Sequence, residues 1–163
     1  LDFYNFFVRI SLFLLFRHLL NIKSQPSPLR IPSNFDLETL PSKVLIVDDD
    51  TFNIVSMELA LSKFQSKTER AFNGSEAIEK ILSTKFDLVL MDCNMPVLNG
   101  WEATKKIKEL VQQGKIDDIP IIACTAYEDL ESIEKCKEAG MSYIINKPIT
   151  NDKLKKILKM YGS

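Results

Sequence analysis

The sequence predicts an α/β fold, a doubly wound parallel sheet with helices on both faces, and three observations carry that prediction. From Lys43 onward, short apolar runs alternate strictly with segments of helical period. The strongest of these runs are continuously apolar, the mark of strands buried on both faces and not of strands with one wet side. The connections between successive elements are short, so each crossover is right-handed and each helix packs back onto the sheet.

Taken in order, Val44 to Val47 is the first strand, and Asn53 to Phe64 sets Ile54, Met57, Leu61 and Phe64 at helical spacing. Thr68 to Phe72 is a weaker strand, expected at an edge. Gly74-Ser75 opens a helix whose inner stripe is Ala77, Ile78, Ile81 and Leu82. Phe86 to Met91 is the strongest strand, followed by a helix from Gly100 to Val111 and a strand from Ile119 to Cys124. Leu130 to Ala139 is a helix ended by Gly140, a residue that tolerates a left-handed cap. Tyr143 to Asn146 is the fifth strand and Asp152 to Met160 the fifth helix.

The 163 residues leave room for one such domain plus an extension. A domain of roughly 120 residues buries enough surface to fold without disulfide or metal staples. With a net charge of -1 there is no basic excess for tracking phosphates, which argues against nucleic acid as a partner. Cys93, Cys124 and Cys136 are odd in number and show no C-x-x-C spacing, so they are expected as free thiols in a reducing compartment. Met91, Met95 and Trp101 are expected to pack or line loops. Cys93 is notable for bordering Asp92, where oxidation would matter.

The chain opens on Leu1 and not Met, and is expected to be a fragment of a longer product. Residues 1–22 form an apolar leader of uncertain structure, too interrupted by Arg9, Arg17 and His18 for a spanning helix of about 20 apolar residues. Neither a basic start nor a small-residue cleavage site marks it as a signal peptide. Residues 23–42 hold Pro26, Pro28, Pro32 and Pro41 without apolar period and read as a linker. Residues 43–161 are the domain.

In such sheets function gathers outside the carboxyl ends of the strands. Those ends carry Asp48-Asp49 after the first strand, Asp92 after the third, Thr125 after the fourth and Lys147 after the fifth. Each alone is ordinary: a turn, a cap, a surface lysine. Three carboxylates, a hydroxyl and an ammonium meeting at one edge from four segments are not. Clustered carboxylates repel, so a cation sits among them or some are protonated. An oxygen-only ligand set with room for water suits Mg2+, which favours octahedral coordination at about 2.0–2.1 Å.

Four stretches, VLIVDDD (44–50), LVLMDCNMPVLNG (88–100), IIACTA (121–126) and NKPI (146–149), resemble the motifs of the response-regulator receiver family. The second is the most specific, with Met-Pro three and four residues after the strand-end Asp and Gly eight after. The resemblance implies a flavodoxin-like (βα)5 sheet in the order 2-1-3-4-5. It implies a phosphoacceptor at Asp92, a metal-ligating acid at Asp49 and a companion at Asp48 acting through water. The Asn94 backbone carbonyl would complete the Mg2+ ligands, and Thr125 and Lys147 would contact the phosphoryl oxygens. It also implies a cis Lys147-Pro148 peptide.

A protein of this kind is a phosphoacceptor switch in two-component or phosphorelay signalling, not an enzyme beyond its own phosphoryl transfer and dephosphorylation. Its partners would be a histidine kinase or a histidine-phosphotransfer protein. The Pro-rich linker favours the C-terminal receiver of a hybrid histidine kinase, cytoplasmic and tied to a membrane only through missing upstream sequence. Two positions depart from the family. Ile144 stands where an aromatic switch residue is usual, and Tyr143, one step earlier, points to the opposite face. Asp50, often Asn, is expected as a helix cap. One alternative is a degenerate receiver acting only as an interaction module. Another is a haloacid-dehalogenase-type phosphatase with its D-x-D starting at Asp48, but Phe52 takes that signature's last place and the MDCNMP stretch goes unexplained.

Overall fold

The computed structural model describes residues 40–41, 43–126 and 129–161. The leader expected at 1–22 and nearly all of the linker expected at 23–42 lie outside the described residues.

Strands β1 (Lys43–Val47), β2 (Lys67–Ala71), β3 (Leu88–Asp92), β4 (Ile121–Thr125) and β5 (Tyr143–Asn146) alternate with helices α1 (Thr51–Ser62), α2 (Gly74–Ser83), α3 (Gly100–Gln112), α4 (Leu130–Ala139) and α5 (Asn151–Tyr161). The sheet runs β2-β1-β3-β4-β5 and every pairing is parallel. The expected fold and strand order are both present.

Strand alternation divides the core. Val44 and Ile46, Leu88 and Leu90, and Ile122 and Cys124 face α1 and α5, where Ile54, Met57, Leu61, Leu154, Ile157 and Leu158 meet them. Leu45 and Val47, Val89 and Met91, and Ile121 face α2 and α3, against Ala77, Ile81, Ala103 and Ile107. Each buried Val, Leu, Ile and Met side chain among these contributes about 1.5–3 kcal/mol by leaving water. A third, smaller cluster of Cys93, Ala123 and Cys136 lies under α4, flanked by Trp101, Met141 and Ile144.

The expected elements hold, with shifted ends. β4 starts after Pro120, which has no N–H to give the ladder. β3 runs from Leu88 to Asp92, so Phe86 packs in the core without belonging to the strand. Leu82 is 54% exposed, because the inner stripe of α2 follows the i, i+4 line from Ala77 to Ile81 and leaves Leu82 on the outer flank.

The helix starts are fixed by side-chain caps. Asp50 accepts from the Phe52 amide at 2.8 Å, as expected of a cap, and Asn73 from Glu76 at 3.0 Å. Asn99 accepts from Glu102 and Asp129 from Ser132, both at 2.9 Å. Each such cap contributes about 1 kcal/mol. β2 is the expected edge strand, and it is charged: the Arg70 guanidinium forks onto Glu58 of α1, and Glu69 takes Lys43 at 2.8 Å and Lys80 at 3.3 Å. An edge of this kind discourages a further strand from adding.

Among the described residues two non-glycine positions have positive φ, Gln65 and Val97, and Val97 is the more strained because it is β-branched. Val97, in the turn after β3, has φ +70° and is 83% exposed. A β-branched residue is among the worst fits to the left-handed region, at a cost of about 1–2 kcal/mol. Since Val97 buries almost nothing, Val97→Asn should raise stability by about 1 kcal/mol in urea unfolding, Asn being tolerant of that region. A loss of stability would contradict this reading of the turn.

Candidate functional site

The carboxyl ends of β1, β3, β4 and β5 converge as the topology requires. Asp48 and Asp49 leave β1, Asp92 ends β3, Thr125 ends β4, and Lys147 follows β5. Oxygens of Asp48, Asp49 and Asp92 lie within 4.8 Å of one another. The Lys147 ammonium reaches across the sheet edge to both buried acids, 2.7 Å from Asp48 Oδ2 and 3.1 Å from Asp92 Oδ1. The Lys147-Pro148 peptide is cis, as the resemblance implied.

The three acids are not equivalent. Asp48 is fully buried, and both of its oxygens are engaged: Oδ1 accepts from the Asp50 amide and the Asn53 amide side chain, each at 3.0 Å, and Oδ2 accepts from Lys147. Asp49 is exposed, and Asp92 is 7% exposed at the floor of the site. Thr125 is buried at the end of β4. Asn94 lies in the exposed bend two residues past Asp92.

Burial raises the Asp92 carboxyl above the usual carboxylate range; Lys147 opposes that shift, and Asp48 and Asp49 add to it. Burial alone would lower the Lys147 ammonium, but its contacts with Asp48 and Asp92 outweigh burial and hold it above the ordinary lysine range. Three carboxylates against one ammonium leave the cluster short of positive charge. An all-oxygen set with one exposed member is the chemistry that a hard divalent cation such as Mg2+ accepts.

Asp92 is held by its backbone as well as its side chain. The Gly100 amide donates to the Cys93 carbonyl at 3.0 Å, and a Cβ at Gly100 would sit 2.1 Å from the Asp92 carbonyl oxygen. That contact explains the glycine eight residues after Asp92: any larger residue drives α3 into the strand that carries the acid.

Two features escaped the sequence reading. Asn53 orients Asp48, and its place five residues on, at the first turn of a helix, was the available signal. Phe52, Val55 and Leu59 are all exposed on α1, Phe52 by 76%. Their 3-and-4 spacing, out of phase with the buried Ile54, Met57 and Leu61, was legible as a second apolar stripe. Phe52 also lines a groove beside the site with Met57, Lys147, Pro148 and Ile149.

The profile of the response regulator receiver domain matches residues 44–159. Histidine kinase 5 of Arabidopsis thaliana is 35% identical over 147 residues, a match that takes in 76% of this chain but only 16% of that protein. The receiver domain of the sensor histidine kinase PA1611 from Pseudomonas aeruginosa, solved with a magnesium ion in its active-site cleft, is 31% identical. It superposes with a TM-score of 0.66 over 74% of this chain and 96% of its own. The Saccharomyces cerevisiae complex of the histidine phosphotransfer protein Ypd1 with the receiver domain of Ssk1 gives a TM-score of 0.71 at 28% identity, covering 76% of this chain and 90% of that one. The chain belongs to the response regulator receiver family of two-component and phosphorelay proteins, which sets aside the dehalogenase alternative. Among the described residues no helix is long and apolar enough to cross a membrane.

The electrostatics of the site give a stability test. A carboxyl whose folded pKa is raised contributes its full stability below the ordinary carboxylate pKa and loses it as pH rises through the raised value. Without divalent cations at neutral pH, ionised Asp92 therefore costs stability. Asp92→Asn should melt higher than the wild type in EDTA at neutral pH, and the advantage should shrink as pH falls through the raised value and be gone below the ordinary carboxylate pKa. Asp49→Ala, on an exposed side chain, should also melt higher at neutral pH without metal. A clearly lower melting temperature for either variant would contradict the crowding of charge.

Proposed function

We propose that this chain is the phosphoacceptor of a phosphorelay, with Asp92 taking the phosphoryl group from a phosphohistidine. The observation that carries this is the Lys147 ammonium shared between Asp48 at 2.7 Å and Asp92 at 3.1 Å. It leaves one face of Asp92 backed by positive charge and the other open for attack.

Phosphoryl transfer needs positioning and charge neutralisation more than covalent chemistry from the protein. An Asp92 oxygen attacks phosphorus in line. The phosphorus–nitrogen bond to the donor imidazole breaks and an acyl phosphate forms on Asp92. Lys147 follows the charge onto the equatorial oxygens, and the Thr125 hydroxyl donates to one of them. Asp49, Asp92 and the Asn94 carbonyl are the residues to hold Mg2+, which when bound neutralises charge on the transferring group. Asp48, with both oxygens already engaged, orients the set and acts through water.

The donor docks on the exposed stripe of Phe52, Val55 and Leu59 with Pro148 and Ile149, an apolar ledge beside the site that suits a helical histidine-phosphotransfer protein. The Ypd1–Ssk1 complex and the kinase relatives support a partner of this class. The same relatives, of which the chain spans a small part, support a place within a hybrid histidine kinase; in that reading the Pro-rich segment is its linker and the cytoplasm its compartment.

Output runs through the α4–β5 face. A hydroxyl bonded to a phosphoryl group is worth about 1.5–3 kcal/mol, which bounds the pull of Thr125 on the following loop. Ile144 packs with Cys93, Ala123 and Cys136 while Tyr143 lies in the cluster on the opposite face, so neither position supplies a ring to swing into the space. α4 buries only Cys136 and Ala139, so it is the helix held by the least apolar surface.

With acetyl phosphate and Mg2+, the wild type should acquire one alkali-labile, hydroxylamine-labile phosphoryl group, absent from Asp92→Asn and from samples in EDTA. No labelling would leave a degenerate receiver. Phe52→Ala should keep acetyl phosphate labelling but slow transfer from a phosphotransfer protein by about tenfold, the loss of one apolar anchor. Equal transfer rates would move the docking surface elsewhere. Thr125→Ala should still be labelled yet lose most beryllofluoride-induced amide shifts from residue 126 through Asn146; retention of those shifts would remove Thr125 from the switch.

A further inference from the structure

We propose that Cys93 and Cys136 are a redox pair that closes to a disulfide under a peroxide-class oxidant, fastening α4 to the residue next to Asp92. The two sulfurs, 43 residues apart in sequence, lie 3.7 Å from one another in the small cluster under α4. A disulfide is about 2.05 Å long, so closure asks for side-chain rotation and a small approach of α4, not unfolding. Both thiols are buried, with no aliphatic side chain interposed between the sulfurs.

The surroundings distinguish Cys136 from a packing thiol. The Trp101 indole N–H donates to its sulfur at 3.2 Å, and the Lys135 ammonium stands 5.5 Å from the centre of the Trp101 ring. The Cys93 thiol and Trp101 both favour the thiolate at Cys136, and together they bring it below the ordinary thiol range against the effect of burial. Cys124 is the contrast: fully enclosed, it is pushed up to about 12 by burial, and its nearest partner is the Ile122 carbonyl at 3.8 Å.

The chemistry balances with hydrogen peroxide as the oxidant. The Cys136 thiolate attacks one peroxide oxygen, the O–O bond breaks, and hydroxide leaves, giving a sulfenic acid. The Cys93 sulfur then attacks the Cys136 sulfur, the S–O bond breaks, and the oxygen departs as water with the thiol proton. Two electrons pass from the two sulfurs to the peroxide. Trp101, half-buried against the cluster, swings aside to admit an oxidant of that size. A dithiol reverses the reaction.

The consequence for signalling rests on the output reading given above. A covalent tie from α4 to Cys93 opposes any displacement of α4, while Asp92, Lys147 and the acids stay where they are. Oxidation therefore silences the output face without removing the phosphoacceptor.

The test uses the full chain. It is treated with hydrogen peroxide, denatured in a maleimide and weighed without reductant. The expected result is a mass lower by two hydrogens before alkylation, one alkylated thiol of three at Cys124, and a peptide pair joining Cys93 to Cys136. Dithiothreitol should restore all three thiols. Three alkylated thiols, sulfinic or sulfonic products without a cross-link, or only intermolecular cross-links would overturn the proposal. The wild type carries this result, so a poorly folding Cys136→Ser leaves it decided. In a second arm, beryllofluoride is added to oxidised and reduced protein. Amide shifts across α4 should be lost on oxidation, with acetyl phosphate labelling of Asp92 retained; equal shifts in both states would overturn the coupling. Absence of labelling in both states would instead count against the phosphoacceptor reading, and the cross-link would be judged by mass alone.

Discussion

The Lys147 ammonium, set between a fully buried Asp48 and a nearly buried Asp92, is the contact on which this end of the molecule depends. Carboxylates at the bottom of a cleft are costly, and removing Lys147, which would strand two of them, costs about 3–5 kcal/mol. The fold meets that cost with three further devices. The Asp50 amide and the Asn53 side chain complete the hydrogen bonds of Asp48, and Asp49 is left in solvent. What remains is a shortage of positive charge around Asp92, the condition under which a hard divalent cation is attracted.

Rigid backbone on one side of Asp92 is matched by looser packing on the other. Gly100 brings the start of α3 against the Asp92 carbonyl so closely that no other side chain fits, and the Thr104 hydroxyl returns a 2.7 Å bond to the Gly100 carbonyl. The acid therefore cannot drift toward α3. Toward α4 the fully buried residues are small, Cys93, Ala123 and Cys136, with Trp101, Met141 and Ile144 partly buried around them. Elements that move in a switch come from the less stable part of a domain. The small side chains at the centre of this cluster bring two sulfurs within 3.7 Å where a larger residue would have separated them.

Much of the fold was legible because the local signals agreed with one another. Apolar runs such as Leu88 to Met91 can be buried on both faces only in a parallel sheet, and Asp50, Asn73, Asn99, Asp129 and Gly140 punctuate the helices in between. Tyr143 and Ile144 could be sent to opposite faces from the two-residue period alone. Ends were less legible: Phe86 and Ile119 are as apolar as the strands they precede, and only sheet pairing excludes them. Leu82 was misjudged because apolarity alone does not say which flank of a helix meets the sheet.

Sequence by itself determined the chemistry available at the strand ends: Asp48, Asp49, Asp92, Thr125 and Lys147 follow from strand position and the motifs around them. It could not say that Lys147 reaches both Asp48 and Asp92, that Asn53 completes the shell of Asp48, or that Phe52 lines a groove with Lys147, Pro148 and Ile149. Nor could it bring Cys93 within 3.7 Å of Cys136. These are distances between residues up to 99 positions apart, and they are set by how four crossover helices and the last helix pack against one sheet. Residue spacing along a chain fixes periodicity and therefore faces. Only the packed structure fixes which faces touch.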